Sequence, residues 1–293
     1  MNKLTKISMT ALSTALIAGS VQAMDYSISG GASIAYTSVN TTSDTNPWSM
    51  GDSITFSTSG ELDNGMTVSV SLEMDDHGSD AIDDKSIKID TGNGVVGFAS
   101  SVGGIGGIGT IANKVPNAFT PVFQATNAVD YGQADQKMSS AGQWGYKHTV
   151  GGVGISLGYT PGGNTNGGAD TGWSLTYADL IDGMEVGYGQ QDDGTTSEAE
   201  TAYIKYVTGG ITVAYQKSKV DYESTGTSDE DATHYGISLA VNDDLSVSVG
   251  RQDVEIGTSA SEEENTGVSA SYTMGSVKVG LAFNKAANVA GSA

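Results

Sequence analysis

The chain has 293 residues, with 41 Gly, 4 Pro, no Cys and a formal net charge of −21. Charged residues make up 16% and hydrophobic residues 38% of it, both below the level of an ordinary soluble domain. This acidity excludes the basic patch of a nucleic-acid binder, and the absence of cysteine excludes a disulfide framework or a thiolate metal site.

Residues 1–23 read as a cleavable export signal rather than as structure. Lys3 and Lys6 form a basic start, Ile7–Ala18 is mostly apolar, and Val21-Gln22-Ala23 is a small-x-small cleavage site that leaves Met24 first. The apolar run is shorter than the ~20 residues of a spanning helix. Nothing later in the sequence reads as such a helix, so a mature chain that enters a membrane must cross it as a closed barrel.

From Tyr26 onward the sequence alternates. Tyr26, Ile28, Ala32, Ile34 and Tyr36 share one parity against Ser27, Ser29, Ser33 and Thr37 on the other, the period-two signature of a strand with unlike faces. Ile54 and Phe56 repeat the pattern, and the Asp63-Asn64-Gly65 turn leads into Met66, Val68, Val70, Leu72 and Met74. Ile87 and Ile89, the Gly92-Asn93-Gly94 turn, then Val96 and Phe98 follow. After a long irregular stretch, Gly103–Ser140, the rhythm resumes at Trp144, Tyr146 and His148. It then passes the turns Gly151-Gly152, Asp182-Gly183, Gly209-Gly210, Asn242-Asp243-Asp244 and Gly275-Ser276, and ends on Val277, Val279, Leu281 and Phe283.

Connections alternate between short turns and long polar loops, and all four prolines (Pro47, Pro116, Pro121, Pro161) fall in long loops, as a fully paired sheet requires. The second parity is Ser, Thr, Gly, Lys, Glu and Asp, too polar to pack a dry core. The expected fold class is therefore all-β, a transmembrane antiparallel β-barrel with its apolar face to lipid and its polar face to water. Tyr26, Tyr36, Tyr146, Tyr159, Trp173, Tyr177, Tyr188, Tyr206, Tyr215 and Tyr235 lie on the apolar parity. Most of them fall near strand ends, where they are candidates for interfacial girdles. Gly103–Ser140 is the exception to this regularity, and structureless loops longer than roughly 12–15 residues are usually functional.

Lys88, Lys147, Lys205 and Lys278 fall on the polar parity, together with Glu73 and Asp75. The lysines either line a pore or simply prefer water. Lys217, Lys219 and Arg251 fall on the apolar parity near the long-loop end, where contact with anionic head groups or a neighbouring subunit competes with a plain solvated rim. Gly104-x-Gly106-x-x-Gly109 matches a dinucleotide fingerprint but precedes no helix, so its glycines are read as letting the backbone bend. No cofactor is expected. The acidic stretches Asp75–Asp84 and Glu262–Glu264 offer oxygen ligands for Ca²⁺, but without EF-hand spacing they are read as hydrated. His77, His148 and His234 have no matched nucleophile, so an enzyme is not expected.

The export signal, the Tyr26–Tyr36 opening strand, the hairpin turns and the long third loop resemble a general porin of the Gram-negative outer membrane, of the acidic, glycine-rich alphaproteobacterial type. The resemblance implies a trimeric diffusion pore of about 16 strands whose third loop folds inward as a constriction. It also implies a basic cluster on the wall across from loop acids, for which Asp130 and Asp135 are the available residues. Opposed rows of charge would then screen small hydrophilic solutes, and the dominance of acid implies a modest cation preference. The expected setting is outer-membrane lipid. About 15 strands are visible here, and the terminal aromatic of the family is absent. Either a final strand is missing or one is miscounted near Ser139–Trp144. A surface β-rich adhesin without a pore is the alternative, but it predicts repeats and an unsorted loop pattern.

Overall fold

The structure is a computed structural model that describes residues 25–38, 46–75, 82, 84–100, 106–124, 142–162, 168–178, 180–223, 228–259 and 261–289. The export signal, Asp130, Asp135 and His77 lie outside the described residues. The chain divides into two compact units, Met1–Ser101 and Val102–Ala293.

The first unit holds five strands, β1 (Asp25–Tyr36), β2 (Trp48–Glu61), β3 (Thr67–Asp75), β4 (Asp84–Asp90) and β5 (Val95–Ala99). Each pairs antiparallel with its sequence neighbour. The second unit holds β6 (Gln143–Val150), β7 (Val153–Thr160), β8 (Asp170–Ala178), β9 (Met184–Asp192), β10 (Ser197–Thr208), β11 (Ile211–Tyr222), β12 (Glu230–Ala240), β13 (Leu245–Ile256), β14 (Glu263–Met274) and β15 (Val277–Ala287). These also form an antiparallel meander in chain order.

Local chemistry sets the register. Between β6 and β7, and again between β10 and β11, the connection is two glycines with positive φ: Gly151 (57°) and Gly152 (81°), then Gly209 (53°) and Gly210 (83°). Two consecutive positive φ angles make the tight hairpin turn whose twist matches that of the strands it joins. With the turn fixed, parity follows for the whole hairpin, because a slip of one residue would move every side chain to the other face. On β11 it leaves Ile211, Val213 and Tyr215 exposed, while Ala214, Gln216, Ser218 and Val220 are buried. The second unit is therefore wrapped in exposed apolar residues and covered on its polar face.

The aromatic rows lie where the apolar parity meets charge. Tyr177, Tyr206 and Tyr272 sit near the short turns, and Trp144, Tyr159 and Trp173 near the long loops. β9, β11 and β12 carry the exceptions to a strand-end position. Tyr188, Tyr215 and Tyr235 are mid-strand, because these strands continue beyond the aromatic row with outward charges. There Lys217 pairs with Asp231 at 3.1 Å, Lys219 with Asp221 at 2.8 Å, and Arg251 with Asp253 at 2.7 Å and Glu264 at 3.3 Å. The three outward cations thus belong to a rim of ion pairs above the apolar band.

Candidate functional site

Polar residues alone do not cover the polar face of the second unit; residues 106–123 lie across it. The segment leaves Gly106 against the Leu157 carbonyl and the Gly145 backbone, where any β-carbon would collide. It then makes a 3₁₀ turn over Ile108–Ile111. Thr110 Oγ1 lies 2.8 Å from Ser174 Oγ on β8, and Ser174 Oγ also donates to the Gly107 carbonyl at 3.1 Å. Ile108 and Ile111 are fully buried in a small cluster with Ala199, Tyr203 and Val220 of β10 and β11.

Gln216 of β11 is the central clamp. Its buried amide Nε2 donates to the carbonyls of Ile111 and Ala112 and to Thr201 Oγ1, each at 2.9 Å, and its Oε1 accepts the Lys114 N–H at 2.8 Å. Further along, the Ala118 N–H donates to Ser248 Oγ of β13 at 2.9 Å, and the Phe119 N–H to Ser269 Oγ of β14 at 3.1 Å. Asn284 Nδ2 of β15 donates to the Pro121 carbonyl at 3.0 Å. An irregular segment has no ladder for its backbone groups, and these wall side chains supply the partners it needs when buried.

Glycines on the same face make room for the segment. A β-carbon on Gly236 would lie 2.9 Å from Val115, one on Gly250 3.1 Å from Val122, and one on Gly280 would fall inside the Phe119 ring. The segment reaches β15 and turns back, so that Phe123 packs edge-on against His234 of β12 at 5.6 Å. His234 thus packs against the segment, and His148 lies on the opposite parity beside Tyr146.

The charged candidates separate along the strands. In the first unit, Glu73 and Asp75 are at the long-loop end of β3, with Glu73 opposite Asp84, whereas Lys88 is opposite Ser69 and Gly97 toward the short turn. In the second unit, Lys147, Lys205 and Lys278 lie toward the short turns, and the polar-face acids Asp170, Glu230 and Glu263 begin β8, β12 and β14 at the other end. The observed partner of Lys205 is an acid of the wall: Lys205 Nζ is 2.8 Å from Glu185 Oε2 on β9. Glu185 also accepts the Tyr203 hydroxyl and lies 3.6 Å from the Nζ of Lys114, whose amine sits 5.4 Å over the Tyr203 ring.

Sequence reading missed Glu185, Tyr203, Lys114 and Gln216. A signal existed: on the polar parity Tyr203 follows the small Ala199 and Thr201, Gln216 stands between Ala214 and Ser218, and Lys114 is the one charged residue in 106–124. Glu263 and Glu264 do not converge on a cation. As strand neighbours they point to opposite faces, Glu263 accepting from Asn265 at 2.9 Å and Glu264 pairing with Arg251. Among the described residues no group of three carboxylate or imidazole side chains could hold a metal ion.

These features define a class: a sheet with one exposed apolar face and one polar face, and an irregular segment bonded across the polar face. The profile of the Gram-negative porin family matches residues 8–292, and the chain belongs to that family. No curated protein sequence matches the chain. Among solved structures, a refined porin aligns with a TM-score of 0.67 at 14% identity, covering 89% of this chain and 94% of its own. A triple-substituted porin of Rhodopseudomonas blastica gives 0.66 at 15% over the same shares. A loop-deletion variant of OmpT, an outer membrane protein of Vibrio cholerae, gives 0.57 at 17% over 92% and 94%. The fold is that of an all-β outer-membrane porin, and the protein is a channel for passive diffusion, not an enzyme.

Proposed function

We propose that residues 103–140 form the constriction of this channel and that the polar face of the strands is its water-filled wall. The observation that carries this reading is the course of residues 106–123, which cross the polar face from β8 to β15 on bonds from Ser174, Gln216, Ser248, Ser269 and Asn284. A layer fastened there takes cross-section from the water path. Lys88, Lys147, Lys205 and Lys278 line the wall, with Glu73 and Asp75 toward the mouth and Asp130 and Asp135 as the loop's own acids. Acids far outnumber bases in the chain, whose formal net charge is −21 over all 293 residues, and the channel has a modest preference for cations among small hydrophilic solutes. The protein works as a homotrimer in outer-membrane lipid, exported by a signal removed after Ala23.

Deleting residues 116–130 is the test. Single-channel conductance in a planar bilayer rises if the segment constricts the path, and an unchanged conductance overturns the reading. The export signal is checked separately, since mass spectrometry of protein from outer membranes then finds Met24 first. Heat-modifiable oligomers on electrophoresis report the trimer.

A further inference from the structure

Three polar-face lysines of the second unit follow a rule relative to the bound segment. Gly145 and Gly280 touch it at Gly106 and Phe119, and Tyr203 sits under Lys114. In each strand the next polar-face residue toward the short turn is a lysine: Lys147, Lys278 and Lys205. Two residues along a strand are about 6.6 Å, so the three amines border one edge of the segment. Lys114 brings a fourth cation to that edge from the segment itself, through its contact with Glu185.

Among the described residues, Glu185 is the one acid on the polar face of these strands along that edge. It faces Lys205 directly across the β9–β10 ladder. Asp170, Glu230 and Glu263 are at the far strand ends, and Asp182, Asp243 and Asp244 lie in the short turns beyond the strands. At Glu185, then, one carboxylate is shared by two ammonium groups, and all three side chains keep about a quarter of their surface open, 24% for each lysine and 27% for the glutamate. A carboxylate that is shared and solvated leaves one positive charge uncompensated, and ammonium donors hold carboxylate and phosphate oxygens as point charges.

We propose that Lys114, Lys205 and Glu185 form an anion-holding station in the permeation path, which takes small oxyanions and offsets the cation preference of the acidic mouth. A passing carboxylate or phosphate group bridges the two amines in exchange with Glu185 and moves on, because each contact is single and wet. The station rests on the channel reading above.

The test is block of potassium chloride current by citrate, together with the reversal potential in a salt gradient. Citrate blocks the unmodified channel, and the double variant Lys114→Gln/Lys205→Gln needs about tenfold more for the same block. Glu185→Gln strengthens the block about twofold and moves the reversal potential toward anions. Lys205→Arg keeps both properties near those of the unmodified channel, which separates lost charge from lost folding. Equal block in the double variant, or a shift toward cations in Glu185→Gln, overturns the station and leaves the channel reading intact. An unmodified protein without conductance removes the channel reading and the station with it.

Discussion

Two side chains show how single residues hold the irregular parts of this protein. Gln216 satisfies three backbone groups of a buried segment at once, and leaving a buried donor or acceptor unpaired costs about 1–3 kcal/mol. Gln216→Ala should therefore destabilise the folded protein by about 2–3 kcal/mol in urea unfolding from lipid vesicles and expose residues 106–123 to protease. Asp193 does comparable work outside the spanning strands. Its carboxylate takes the N–H groups of Thr195, Thr196 and Ser197 at 2.8, 2.7 and 3.0 Å and the Ser197 hydroxyl at 2.7 Å. Partial burial works against its charge, but the Thr196 and Ser197 bonds outweigh this and hold the carboxyl well below the usual carboxylate range. A pKa lowered in the folded state stabilises above the unfolded value of about 3.9, and that contribution is lost as pH falls below it. Protection of the Thr195–Ser197 amides, measured against their intrinsic exchange rates, should be high at pH 7 and fall only as the pH drops well below the unfolded value of about 3.9, and Asp193→Asn should lower it at pH 7. Equal exchange in the variant and the unmodified protein at pH 7 would remove this role.

At the scale of the strand, the sequence was legible wherever one physical rule acts alone. Period-two alternation located the strands, and the glycine pairs at 151–152 and 209–210 located their turns, because lipid on one side and water on the other leave little choice of register. Legibility failed where a strand serves two environments. On β11, Tyr215 looks like a strand-end anchor only until Lys217, Lys219 and Asp221 are seen to continue the outward parity past it. The partners of the long segment were hidden for a different reason. Ser174, Ser248 and Ser269 satisfy the same alternation whether they face water or a backbone amide, and nothing in the pattern tells the two apart. The level of the interface now makes a prediction. Val249 lies in the apolar band and Arg251 in the ion-pair rim, one outward position apart. Val249→Arg should cost about 1–2 kcal/mol in vesicle refolding, less than at the bilayer midplane, and Arg251→Gln only roughly 0.2–0.5 kcal/mol. Equal costs would place the membrane boundary elsewhere.

At the scale of the molecule, residues 106–123 form a second layer over the polar face of the strands. Fully buried isoleucines, a clamped amide and a row of glycines hold them against the polar face. Gly280 offers a way to displace the layer without shortening the chain, since any side chain there occupies the place of the Phe119 ring. Single-channel conductance of Gly280→Leu, compared with the unmodified protein in the same planar bilayer, tests whether this layer narrows the channel. Stepwise, ohmic conductance is expected for the unmodified protein and larger steps for the variant. Steps of the same size, from a variant that folds and inserts, would contradict it.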